Sequence, residues 1–273
     1  MDASPIAAEG KTRARGGLAE TTRFLLILFV FTVLLRTLVA APFSIPSGSM
    51  LPRMMIGDYL FVAKWPYGYS RYSVPFGLAR FEGRFLERLP ARGDIVVFHY
   101  PGRGDMDYVK RVIGLPGDTV QMRNGLLVLN GRAVPRTRIA DFVIKVTPNS
   151  PCRRLSGAVA RQDEGAATCA YPRYRETLPD GRSYEIIDQT AGPGDDTELF
   201  VVPARHYFVM GDNRDDSEDS RYPVEIGGIG FLPADNLVGR ALVTFFSTDG
   251  SAQLAHPSTW LKSVRWQRIG ETY

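Results

Sequence analysis

Two serines flank a single glycine in Ile45-Pro-Ser-Gly-Ser-Met50, and Pro46 and Pro52 stiffen both sides of the triplet. Proline fixes φ and glycine lets a second backbone approach, so Ser47 and Ser49 sit on a constrained loop open to a substrate. A serine hydroxyl attacks a carbonyl only when a neighbouring base takes its proton. The three histidines, His99, His206 and His256, are far apart in the chain and make no metal-ligand spacing. A lysine is the other candidate base, and Lys110 lies inside the apolar run Tyr108-Val-Lys-Arg-Val-Ile113. Burial there disfavours the ammonium form and lowers the pKa, which leaves a neutral amine able to accept a proton. A third segment, Gly211-Asp-Asn-Arg-Asp-Asp-Ser-Glu-Asp-Ser-Arg-Tyr222, crowds polar groups directly after the apolar run His206–Met210.

Each piece has a plainer reading. A Ser-Gly-Ser triplet is commonly a turn and a strand lysine commonly faces solvent. The acidic loop has the look of a calcium site, against which stand Arg214 and the absence of a glutamate at its twelfth position. Gly227-Gly-Ile-Gly230 lacks the lysine and the following helix of a phosphate loop, so the residues imply no nucleotide, no metal and no other cofactor.

The elements that must position these groups follow from patterning. The chain has 273 residues, with Lys+Arg 33 against Asp+Glu 29 and a net charge of +4, too dilute an excess to imply nucleic-acid binding. A polar N-terminus carrying Lys11, Arg13, Arg15 and Arg23 leads into an apolar stretch from Phe24 to Ala41, interrupted by Arg36. As a helix that stretch spans roughly 27 Å, enough to cross a hydrocarbon core. The basic flank predicts a cytoplasmic N-terminus, with everything after Pro42 outside. Cleavage after Val39-Ala40-Ala41, as in a signal peptide, is the rival, and Pro42 directly after the cut speaks against it.

Beyond the anchor, short β-branched and aromatic runs end in turn residues: Asp94–Tyr100, Tyr108–Ile113, Leu126–Leu129, Glu198–Val202 and His206–Met210. The sequence therefore predicts a mainly β protein: an antiparallel β-sheet or barrel-like catalytic core with an inserted cap subdomain, preceded by one N-terminal transmembrane helix. Its divisions are a cytoplasmic segment 1–23, an anchor 24–41, a core of 42–135 with 201–273, and an insertion 136–200. The insertion is rich in Arg, Pro, Gly and Ser, with weak strand signals at Phe142–Val146 and Ser183–Ile187. It holds Cys152 and Cys169, readable as one disulfide or as two free thiols. Trp65 to Pro90 reads as an extended surface excursion. Trp65, Trp260 and Trp266 are either core residues or exposed rings suited to a membrane interface.

In combination, the motifs PSGSM, RGDIVVF, DYVKRVIGLPGD and GDNRDDSEDSR resemble those of bacterial type I signal peptidases, membrane-bound Ser/Lys proteases that remove signal peptides from exported proteins. The resemblance covers Pro42 to about Leu129 and Val201 to Ala241. It implies Ser49 as nucleophile, Lys110 as general base, and an oxyanion hole of the Ser47 hydroxyl with the Ser49 N–H. It further implies a hydrogen bond from Ser217 to the catalytic lysine, a buttressing ion pair of Asp219 and Arg221, and supporting roles for Asp212 and Arg111. Phe43, Ile45, Met54, Tyr108 and Val109 would line pockets for the small side chains of an Ala-x-Ala site. The implied partners are the signal peptides of preproteins, the lipid bilayer and the translocation machinery, and the implied location is the bacterial plasma membrane with the catalytic part on its outer side. Pro223–Gly230, Arg53 and Met54 depart from the family pattern. Three other readings use the same residues: a Ser/Lys protease with one dedicated substrate, a conventional triad built from His99 or His206, and an inactive tethered β-module that binds exported segments.

Overall fold

The structure is a computed structural model, and it describes residues 12–75, 81–102, 104–153, 159–163 and 166–273. It opens with a helix over Thr12–Leu38, within which Gly17–Leu38 is long and apolar enough to cross a membrane. None of that span is buried against the rest of the chain. Lys11 and the residues before it lie outside the described residues. The expected anchor is helical only to Leu38, because Pro42 has no N–H to give a helix and biases the residue before it toward extended backbone. Ala40–Ser44 is instead a strand, paired with Asp58–Ala63.

The core is a curled antiparallel sheet of seven strands. Their order across it is Ala40–Ser44, Asp58–Ala63, Leu237–Ser247, Ile95–His99, Asp107–Gly114, His206–Met210 and Leu232–Pro233. Register slips within Leu237–Ser247 accompany the curl, since an extra residue on one strand increases local twist and bend. Alternation along Asp107–Gly114 sends Tyr108, Lys110 and Val112 to one face and Val109 and Arg111 to the other. Two apolar clusters hold these faces in place. One joins Val96, Phe98, Val112 and Tyr207, and the other joins Ile45, Met50, Met54, Leu60, Val97 and Val109. The predicted strand Leu126–Leu129 and the predicted strand His206–Met210 have the same bounds in the structure, and Glu198–Val202 shrinks to Phe200–Val201.

The insertion is more ordered than its composition suggests. Arg136–Lys145, Val159–Asp163, Ala166–Thr177 and Ser183–Ile187 form a separate antiparallel sheet. Cys152 and Cys169 are joined in a disulfide, their Cα atoms 5.5 Å apart. Cys169 is fully buried beside Ile144, Tyr171 and Ile187, and Leu51 and Met55 of the serine loop pack on this cluster. The insertion thus braces the loop that carries Ser49. Trp65 to Pro90 also departs from expectation. Tyr67 is buried and donates to Asp94 at 2.8 Å, and the Arg84 guanidinium donates to the carbonyls of Gly68 and Leu237. Buried apolar area and charge-assisted hydrogen bonds tie this segment to the core, while residues 76–80 lie outside the described residues. Trp65, Trp260 and Trp266 are all exposed, which excludes the core reading for them.

The cross-link closes a loop with a sequence separation of 17. Replacing both cysteines with alanine is expected to cost on the order of 3 kcal/mol of stability, read as a lower urea midpoint for the variant than for the oxidised parent at a comparable slope. An unchanged midpoint would show that the bridge does not constrain the unfolded chain.

Candidate active site

The serine loop turns sharply after the edge strand and is pinned by the polar loop that follows His206–Met210. Asn213 donates its backbone N–H to the Ser49 carbonyl at 3.0 Å and its side-chain amide to the Gly48 carbonyl at 3.1 Å. Gly211 lets the two loops meet. A Cβ there would lie 2.2 Å from Ser217 Oγ and 2.6 Å from the Ser49 carbonyl, so any side chain would force the loops apart. Sequence reasoning missed Asn213 and Gly211 as positioning residues, although both stand in the GDN of the third motif.

Lys110 reaches the loop from the neighbouring strand, its Nζ donating to Ser49 Oγ at 2.7 Å. Both residues are buried, Lys110 at 3% exposure. Desolvation pulls the lysine pKa down to about 8, and the Asp219 carboxylate partly offsets it. Asp219 is fully buried and is held by Arg221 through two hydrogen bonds of 2.9 Å and by the Gly211 N–H at 3.0 Å. Burial alone would raise that carboxyl; the Arg221 charge and these hydrogen bonds outweigh it and hold it below its ordinary value. Asp219 therefore stays an anion next to the lysine.

The resemblance implied a hydrogen bond between Ser217 and the lysine. Here the Ser217 hydroxyl donates to Asp219 Oδ2 at 2.8 Å instead, because a buried carboxylate is a stronger acceptor than an amine. Ser217 still lines the same cleft as Ser47, Ser49, Tyr108 and Lys110, a space of about 540 Å³. Ser47 Oγ lies 3.4 Å from Ser49 Oγ, and the Ser49 N–H donates to no group among the described residues.

Arg111 points away from the cleft and grips Asp212 through two hydrogen bonds of 2.7 and 2.6 Å, with a third to the Gly93 carbonyl. Asp212 in turn fixes the start of the polar loop, whose Arg214 pairs with buried Glu176 of the insertion, itself accepting from Tyr184 at 2.6 Å. Glu176 and Tyr184 carried no signal in sequence, since the Arg214 that Glu176 pairs with is 38 positions away. The loop carboxylates are engaged by arginines and amides, Asp216 by Arg153 and Asp215 by the Gln189 N–H, so they do not converge on a cation as the calcium reading required.

The expected pocket residues separate. Tyr108 lines the cleft, with its ring centroid 5.9 Å from the lysine Nζ. Ile45, Met54 and Val109 are buried in one apolar cluster, with Phe43 packed on it and partly exposed. Val109 falls on the sheet face opposite Lys110, as alternation demands. The histidines lie elsewhere: His99 stacks on Tyr72 and faces Asp107, and His206 hydrogen-bonds the Ala204 carbonyl. The group within reach of Ser49 is an amine, which removes the triad reading.

A buried serine hydroxyl hydrogen-bonded to a desolvated amine, on a curled β-sheet, is the arrangement that a serine hydrolase with a lysine base would need. The chain belongs to the family described as signal peptidase, peptidase S26, whose model matches residues 18–246. It is 35% identical over 266 residues to a signal peptidase I of Rickettsia massiliae, covering 88% of this chain and 89% of that one. To the signal peptidase I of Rickettsia canadensis it is 33% identical over 277 residues, covering 95% of each. A crystal structure of a signal peptidase I from Enterococcus faecalis aligns over 56% of this chain and 97% of that chain, at 24% identity and a TM-score of 0.30.

Burying Lys110 costs stability wherever its amine is charged. With a folded pKa of about 8 against 10.5 when free, the penalty is full below about pH 8 and fades as pH rises toward 10.5. Lys110→Met should therefore melt higher than the parent at pH 6, with the gain shrinking above pH 8. A variant less stable at pH 6 would refute the buried-charge account.

Proposed function

We propose that this chain is a membrane-anchored serine endopeptidase that cleaves signal peptides from exported preproteins, with Ser49 and Lys110 as its catalytic dyad. The observation that carries the reading is the 2.7 Å hydrogen bond between a buried Lys110 amine and Ser49 Oγ. In its neutral form the amine accepts the Ser49 proton as Oγ attacks the scissile carbonyl, and an acyl-enzyme forms. The lysine, now charged, returns its proton to the leaving amine. It then deprotonates the water that releases the acyl group. The Ser49 N–H and the Ser47 hydroxyl stabilise the oxyanion, each such donor being worth about 3 kcal/mol in comparable sites.

Asp219 and Arg221 hold Ser217 and the lysine in place, and Asp212 with Arg111 fixes the loop behind them. Specificity falls to Tyr108 in the cleft and to the partly exposed Phe43, on which small residues of an Ala-x-Ala site settle. Buried Ile45 and Met54 back Phe43, and Val109, on the opposite face, has no place in that wall. An extended precursor adds as a strand near the edge strand Ala40–Ser44, which supplies backbone hydrogen bonds without reading side chains. Gly17–Leu38 spans the plasma membrane once with the N-terminus cytoplasmic, and the catalytic part stands outside. Because a signal peptide is held in the same bilayer, tethering raises the effective concentration of both partners. The translocation machinery would deliver the precursor to that face.

Cleavage of a purified precursor with an Ala-x-Ala site tests this directly. Ser49→Ala and Lys110→Ala should each lose at least about a thousandfold in kcat/KM while His206→Ala cuts normally. The rate should climb with pH through about 8, because protonation of Lys110 below that value removes the base. Lys110→Ala cutting at near the parental rate would overturn the dyad. Ser47→Ala is expected to lower kcat by about a hundredfold with little change in KM; a KM effect alone would assign it to substrate binding instead.

A further inference from the structure

The sheet face opposite Lys110 closes over a second and larger cavity, of about 900 Å³, between the core and the insertion. Its walls come from five places in the chain: Arg53 just after the serine loop, Arg111 and Arg240 on two core strands, Arg173 and Arg175 on the inserted sheet, and Arg268 near the end of the chain. With Arg182 this makes seven arginines against three carboxylates, Asp94, Glu185 and Glu271. No mechanistic step described above uses this space.

Its charges are unevenly matched. Glu185 is shared by Arg173 at 2.9 Å and Arg175 at 3.4 Å, and Glu271 by Arg53 at 3.2 Å and Arg268 at 3.0 Å. Arg111 and Arg268 have further partners just outside, Asp212 and Asp58. Arg240 has no ion pair, and its buried Nε has no hydrogen-bond partner among the described residues. Arg182 pairs with Asp94 and Asp180, each at 3.3 Å. A guanidinium offers five N–H donors in a planar fork, so Arg173 and Arg175 sharing the single carboxylate of Glu185, beside Arg240 with no ion pair among the described residues, leave unused directed donors around one space. Such forks match the oxygens of a phosphate, and the volume admits a group larger than the phosphate itself.

We propose that this arginine-lined cavity is a binding site for a phosphate-bearing anion. The ligand's phosphate would bridge Arg240 to the Arg173 and Arg175 pair, joining the core sheet to the insertion. The same chemistry is offered by a soluble phosphate compound and by an anionic lipid headgroup, and the two sources separate experimentally. Occupancy would bear on the catalytic loop through Arg53 and through Arg111, which lies next to Lys110 in the strand.

The test uses the full chain in maltoside detergent. Titration with inorganic pyrophosphate, read by calorimetry, forms one arm; retention of phosphatidylglycerol against phosphatidylcholine, read by native mass spectrometry, forms the other. One saturable site per chain is expected in at least one arm. It should weaken about tenfold or more in Arg240→Gln and in the double variant Arg173→Gln/Arg175→Gln. Arg205→Gln, on an exposed arginine outside the cavity that pairs with Glu87 and Asp235, should bind as the parent does. Arg240 has no carboxylate to orphan, so its replacement should keep the parental melting temperature. Pyrophosphate binding that is lost in the variants identifies a soluble phosphate ligand; phosphatidylglycerol retention alone, lost in the same variants, identifies a lipid headgroup. No saturable binding in either arm, or equal binding by the parent and both cavity variants, overturns the proposal. Because the readout is binding, this result is independent of whether Ser49 and Lys110 cleave a precursor.

Discussion

The amine of Lys110 is buried, and much of the surrounding structure is arranged around that fact. An ammonium in this position would be stable only with full compensation, and Asp219 supplies part of it while Arg221 draws the same carboxylate away. The lysine is therefore left under-compensated, with a pKa near 8 and a hydroxyl at hydrogen-bonding distance. A surface lysine with the same neighbours would stay fully charged and could not take a proton from serine. A basic amine at neutral pH and a local loss of stability come from one desolvation.

Keeping that amine dry requires the loops above it to stay closed, and their closure is a chain of buried pairs. Arg221 holds Asp219, Arg111 holds Asp212, and Arg214 holds Glu176 of the insertion. Buried ion pairs add little net stability, but removing one partner leaves an uncompensated charge, so the set specifies a single loop geometry. The disulfide cluster packed beneath Leu51 and Met55 acts on the same loop from the other side through apolar contact. The sheet formed by Arg136–Lys145, Val159–Asp163, Ala166–Thr177 and Ser183–Ile187 is thus part of the framework of the site.

Much of the site was legible because its chemistry is concentrated in short motifs. Ser49, Lys110, Asp212, Asp219 and Arg221 all fall in segments whose composition is odd for their position: hydroxyls between prolines, a lysine in an apolar run, carboxylates and arginines after a core strand. Elements with strong period-two patterning, such as His206–Met210, were equally readable. Ala166–Thr177 was not, and Arg136–Lys145 only in its second half through the weak signal at Phe142–Val146, since their arginines hide the alternation of a sheet whose partner strands are themselves polar. The Ser217 hydrogen bond was misjudged because a motif specifies a residue and leaves its rotamer to the neighbours.

By itself the sequence determined the candidate nucleophile and base, the apolar helix, the predominance of β-strands and the likeness to a protease family, all of which depend on residue type and on local period. Tertiary structure alone decided which acceptor Ser217 uses, that Val109 faces away from the cleft, that the cysteines are joined, and that seven arginines from distant segments share one cavity. The physical reason is distance along the chain: Ser49 and Lys110 are 61 positions apart, and Arg111 and Asp212 are 101. A side chain carries its chemistry wherever it stands, but its pKa, its partners and its solvent are properties of the surroundings that folding brings to it.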